Sequence, residues 1–206
     1  MSMDSGPWGT DAEGHNNGCG DLHLTARDAA KFGQLYLDEG LYKGNQIVPA
    51  DWVRDSLQTY SVKEAFVKRV GRFREIGYGY HWWSARAGKY KVNFAWGLGG
   101  QLIVLVDELD LVVVTTSYPF WLEHNDQSWK HEKATLSLVA DFIASPDIDA
   151  VGQVSLAHAA GHRQHLVAAD HHRGAEPRGL LLGEAQYGER QRLHAADVAL
   201  ALASRT

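Results

Sequence analysis

Gly97, Gly99, Gly100 and Gln101 stand at the head of the apolar run Leu102-Ile103-Val104-Leu105-Val106, and they are the residues of this chain best suited to chemistry by main chain. A residue without Cβ lets a ligand or a second backbone come close, but it equally serves a bulge or tight bend, and residue types leave both readings open. Histidine offers the other chemistry. His158, His162 and His165 have an i, i+4, i+7 spacing that would set three imidazoles on one side of a helix, an arrangement suited to zinc. Gly161 falls inside that helix, no nearby cysteine completes a ligand set, and His171-His172 points to biased composition, so no metal and no cofactor is expected. Cys19, the single cysteine, excludes an internal disulfide and reads as a small residue in a Gly-rich loop. Lys63, Lys68, Arg69, Arg72 and Arg74 read as a solvated basic loop with too little aromatic interleaving for nucleic acid.

The elements that must position the glycines are legible around them. Trp96 to Val106 and Leu109 to Thr116 read as two buried strands, with Asp107-Glu108 as the hairpin turn between them. Upstream, Thr25 has the chemistry of an N-cap, with Asp28 three residues on as an imperfect capping box. Ala29, Phe32, Leu35 and Tyr36 then follow at helical spacing up to Gly40. Pro49 opens a second helix through Trp52, Val53 and Ser56. Tyr78, Tyr80 and Trp82 alternate with Gly79, His81 and Trp83, which predicts a strand with one aromatic face. A turn near Ala87-Gly88 leads into Lys89 to Phe94. Ser128 to Ile143 places Trp129, Leu136, Val139, Ala140 and Ile143 on a helix suited to cover one sheet face.

A length of 206 residues with 45% hydrophobic content suits one globular domain or slightly more. A net charge of -5 gives no electrostatic case for nucleic acid or an anionic membrane surface. No run of about 18 apolar residues is present, so no membrane span is expected. The chain divides into an N-terminal loop at 1–20, a body at 21–146 and an extension at 147–206. The last has no Trp, Phe or Lys, one Tyr, and six of the eleven histidines. Its composition predicts a disordered or non-native extension, such as readthrough or a frame shift.

Five segments in order, "LTARDAAKFGQLYL", "IVPADWV", "GYGYHWW", "GLGGQ" and "LDLVVVTTS", resemble the C-terminal part of the serine β-lactamase and penicillin-binding-protein-like hydrolases. That group includes class C β-lactamases, D-alanyl-D-alanine peptidases, related esterases and the 6-aminohexanoate-dimer hydrolases. The resemblance runs from about Asn16 to Ala144. It implies an α/β (α+β) class: a partial β-lactamase/transpeptidase-like fold with an antiparallel sheet, a C-terminal covering helix and part of the helical lid subdomain, the Thr25 helix belonging to that lid. The implied activity is hydrolysis of an ester or amide through an acyl-enzyme, and the implied partner a small acyl or peptide-like substrate.

In that group a Ser-x-x-Lys helix supplies the nucleophile, a Tyr-x-Asn or Ser-x-Asn motif a second acid/base group, and a Lys-Thr-Gly-like strand the acyl pocket. No serine here is followed three positions later by lysine, and no tyrosine two positions later by asparagine. No catalytic residue is therefore assigned. Leu98-Gly99-Gly100 is similar by position to the Lys-Thr-Gly element, and Gln101 would donate its backbone N–H to an oxyanion hole, a donor worth on the order of 3 kcal/mol in acyl transfer. Leucine at 98 removes the cation that faces the substrate carboxylate in penicillin-recognising members. The expected protein is thus the back half of a serine hydrolase whose front half lies elsewhere, or else a non-catalytic remnant or small-ligand binding module. The resemblance also implies a sheet edge left open by missing N-terminal strands. The chain as written reads as cytoplasmic, and as periplasmic or exported if residues precede it.

Overall fold

The computed structural model describes residues 8–18, 20–62, 70–117, 126–146 and 148, and the backbone of three strands at 164–171, 180–185 and 198–205. Cys19, Lys63, Lys68, Arg69, His158 and His162 lie outside the described residues. Helix α1, Ala26–Leu37, starts as its sequence requires. The Thr25 hydroxyl accepts the Asp28 N–H at 3.1 Å and donates to the Asp28 carboxylate at 2.7 Å, so one side chain caps the helix and orients its acidic partner. Burial would raise the Asp28 carboxyl pKa, but the Lys31 ammonium at 2.7 Å and the Thr25 hydroxyl hold it below the ordinary carboxylate value. A small hairpin, β1 (Leu41–Tyr42) with β2 (Asn45–Gln46), leads to α2, Ala50–Ser56, which begins directly after Pro49.

The main sheet follows. Strands β3 (Ser61–Val62), β4 (Arg74–Tyr78), β5 (Trp83–Ala87), β6 (Tyr90–Gly97), β7 (Gln101–Val106) and β8 (Leu111–Thr116) pair antiparallel, each with the next in the chain. Helix α3, Asp126–Ile143, lies across one face. Alternation assigns the sides. Val92, Phe94, Leu102, Val104 and Val106 pack with Leu136, Val139, Ala140 and Ile143 of α3, while Leu105, Val112 and Val114 pack with α1 and with Val53 of α2. The result is an antiparallel sheet between helical layers, the mixed α/β arrangement that the resemblance implies. Gly33 sets the closeness of α1: a Cβ there would lie 2.5 Å from Val112 Cγ1 and 3.0 Å from Ile103 Cγ2.

Four local expectations change. The aromatic run from Tyr78 to Trp83 is not one strand. β4 ends at Tyr78, the chain turns with the Gly79 N–H donating to Trp82 O at 2.7 Å and His81 at φ +64, and β5 begins at Trp83. Trp82 is then free to bury itself against Phe32 and Tyr36 of α1, with ring centroids 6.3 and 4.7 Å away, which a continuous strand would forbid. The turn after β7 is longer than Asp107-Glu108: a 3-10 turn at Asp107–Leu109 is closed by Asp110 at φ +50, a conformation that Asp tolerates. Trp129, expected on the covering face of α3, is exposed. Finally, the edge expected to be open is paired. β8 is buried on both faces, so its outward N–H and C=O groups need partners. Strand β11, Val198–Arg205, supplies them in antiparallel register from Ala199↔Thr116 to Ser204↔Leu111. β9 (Gln164–His171) runs parallel to β11, and β10 (Leu180–Ala185) antiparallel to β9. His165 thus lies in a strand and not on the helix that the zinc arrangement required. No helix among the described residues is long and apolar enough to cross a membrane.

Candidate functional site

The four site residues named from sequence lie together, Leu98, Gly99 and Gly100 in a turn and Gln101 at the start of β7. Trp96 and Gly97 end β6, Leu98, Gly99 and Gly100 form a tight turn, and Gln101 opens β7 opposite Gly97 in the pairing register. The turn is closed by the Gly100 N–H donating to Gly97 O at 3.2 Å. Gly99 and Gly100 take φ +83 and +90, a region that side chains rarely adopt, so the glycine pair answers to hairpin geometry first. That settles the bend reading without removing the other, because the same geometry leaves the main chain at the turn bare of Cβ atoms.

The carbonyls of the turn are fixed from β8. The Thr115 hydroxyl donates to Gly100 O and the Ser117 hydroxyl to Gly99 O, each at 2.6 Å, and Thr115 is fully buried. With both carbonyl oxygens drawn toward β8, the plane of each following peptide is set by side chains. A turn held this way does not need to reorganise to present an amide. Behind Gly100 stands α3: a Cβ at that position would meet the Thr135 side chain at 3.2 Å. Leu98 is exposed at the tip, and the Gln101 side-chain amide reaches back to Leu98 O at 3.4 Å. Gln101 shares its sheet face with Ile103 and Leu105, the face that α1 covers, whereas Trp96 shares the α3 face with Leu102.

Trp96 is half-buried. Its indole N–H donates to the Glu132 carboxylate of α3 at 2.5 Å, and its ring lies 5.5 Å from Trp83, which in turn meets Tyr78 at 4.8 Å. Trp82 is core outright, and Trp83 packs against the α3-side core. Sequence reasoning missed Thr115, Ser117, Glu132 and Thr135. The hydroxyl-rich end of the otherwise apolar β8 run, Thr115-Thr116-Ser117, was the one available signal, since a buried hydroxyl at a strand end needs a partner. Nothing local marks Glu132, whose partner lies 36 residues away in sequence. Among the described residues no group of His, Cys, Asp and Glu could hold a metal ion.

Over 112 residues the chain is 30% identical to the 6-aminohexanoate-dimer hydrolase of Paenarthrobacter ureafaciens, a match that covers 53% of this chain and 28% of that protein. The chain is thus similar to a part of a 6-aminohexanoate-dimer hydrolase, at low identity. A solved structure described as "Putative 6-aminohexanoate-dimer hydrolase from Bacillus anthracis" is 25% identical, with a TM-score of 0.44, over 66% of this chain and 33% of that one. The chain therefore spans roughly a third or less of the length of these relatives. No family model matches it.

Proposed function

We propose that this chain supplies the substrate-wall turn and one oxyanion donor of a serine acyl hydrolase acting on a small ester or amide. Leu98, Gly99 and Gly100 form the wall and the Gln101 backbone N–H is the donor. The observation that carries the reading is the double anchoring of the turn by the Thr115 and Ser117 hydroxyls, which holds a bare stretch of main chain rigid where the resembled family has its Lys-Thr-Gly element. An amide fixed in advance toward a developing oxyanion lowers the barrier to acyl transfer, because it costs no reorganisation when charge appears. The exposed Leu98 side chain gives the wall apolar character and no cation, which favours a neutral acyl group over a carboxylate-bearing one. The nucleophile and its base are contributed by chain outside this sequence, since Ser-x-x-Lys and Tyr-x-Asn do not occur in it.

The test is a titration of the 15N-labelled chain with N-methylbutyramide, a soluble neutral amide. Amide shifts centred on Gly99, Gly100 and Gln101 support the reading, and shifts confined to other surfaces refute it. In parallel, p-nitrophenyl butyrate should not be turned over above background. Turnover abolished by Gln101→Pro in a folded variant would show that a nucleophile on this chain serves the turn, against the proposal.

A further inference from the structure

Glu132 is a charged side chain only 5% exposed, set into the interface between α3 and the sheet with Leu136 and Val139 following it on the helix. An apolar residue would fill this interface without the cost of taking a carboxylate out of water, so packing does not account for a glutamate there. Its carboxyl oxygen accepts the indole N–H of Trp96 at 2.5 Å. Trp96 is the residue of β6 directly before Gly97, where the turn begins. One helical turn beyond Glu132, the Thr135 side chain stands against Gly100 at the far side of the same turn. Its hydroxyl donates back to His131 O at 3.2 Å, which holds the side chain in place. Helix α3 thus stands at both ends of the turn, hydrogen-bonded to Trp96 and with Thr135 so near Gly100 that a Cβ there would press on it.

We infer that Glu132 is a positioning residue: through the Trp96 indole it fixes the end of β6, and so the orientation of the Gly97–Gln101 main chain that would face a substrate. This rests on the functional reading given above and adds to it the helix that sets the turn from behind. β8 holds the turn's carbonyls, and α3 holds the strand that enters it. A side chain acting only as filler would tolerate any substitution of equal volume. A positioning acceptor tolerates only those that keep an oxygen aimed at the indole.

The experiment compares the chain with its Glu132→Gln, Glu132→Leu and Trp96→Phe variants by heteronuclear NMR, reading the Trp96 indole N–H resonance and the water exchange of the Gly100 amide. Glu132→Gln retains a carbonyl acceptor and should keep a hydrogen-bonded indole resonance and slow exchange at Gly100. Glu132→Leu matches the side chain in size without an acceptor. It should move the indole resonance to its unbonded position and speed exchange at Gly100 by about tenfold or more, with Val104 and Val113 in the sheet centre unaffected. Trp96→Phe keeps an aromatic ring, removes the donor and should reproduce the Gly100 effect. Unchanged Gly100 exchange in Glu132→Leu, or an equal rise at Val104 and Val113, would overturn the inference. Should the wild-type chain fail to bind N-methylbutyramide while these exchange results hold, the functional reading falls and the positioning role stands.

Discussion

Gly33→Ala pits two ordinary effects against each other, and the structure decides the sign. In an exposed helix the change would stabilise by about 1 kcal/mol, because alanine loses less backbone entropy on folding. In α1 the new methyl meets Val112 Cγ1 at 2.5 Å, Ile103 Cγ2 at 3.0 Å and Val112 Cγ2 at 3.2 Å. Val112 is fully buried and presents both γ-methyls to the new atom, so rotating its side chain does not clear the contact. Overpacking of this kind costs about 1–3 kcal/mol. The net expectation is a loss of up to about 2 kcal/mol, read as a fall of up to roughly 1 M in the urea midpoint followed by far-ultraviolet circular dichroism and tryptophan fluorescence. Val112→Ala alone should cost about 2 kcal/mol through the cavity it leaves. In the double variant the alanine methyl at 33 occupies that cavity, so the two losses should fall short of their sum by about 1 kcal/mol or more. A midpoint that rises in Gly33→Ala, or losses that simply add, would refute the close crossing of α1 over β8.

Other perturbations read other parts of the molecule. Thr115→Val keeps the shape of a buried side chain while leaving Gly100 O without its 2.6 Å donor, so it should lower stability by about 1–3 kcal/mol in the same urea assay; Ser117→Ala, at a less buried site, should cost less. Thr25→Ala removes the α1 cap and should cost about 1 kcal/mol in thermal or urea unfolding. Asp28 titrates below its ordinary value in the folded chain, so its contribution is fully present above pH about 4 and is lost as pH falls through the depressed folded pKa. Stability measured against pH should therefore drop less steeply below pH about 4 in Asp28→Asn than in the parent chain, and equal slopes would contradict that assignment.

The sequence by itself determined what lies within a few residues of its cause. Thr25 and Asp28 announce the start of α1 because a cap acts over three residues, and Pro49 announces α2 because a missing N–H matters only in the first turn. The β-branched run at 111–116 declares a buried strand, and the glycines at 97, 99 and 100 declare that the chain does something backbone-specific there. Alternation failed between Tyr78 and Trp83, where two residues with strand-like spacing are divided by a turn that exists because Trp82 finds its burial against α1. It failed again at Trp96-Gly97, where one apparent run is two strands, since a period of two carries no mark of a reversal. At the site, the identities Leu98, Gly99, Gly100 and Gln101 were readable, but what holds them was not. Thr115, Ser117, Thr135 and Glu132 reach the turn across 15 to 36 residues of chain, and only the stacking of β6 against β7 and β8, with α3 laid behind, brings the oxygens of Thr115, Ser117 and Glu132 to the right carbonyl and indole and sets the Thr135 side chain behind Gly100. Local chemistry fixes which backbone is bare; hydrogen bonds between elements distant in sequence fix which way it points.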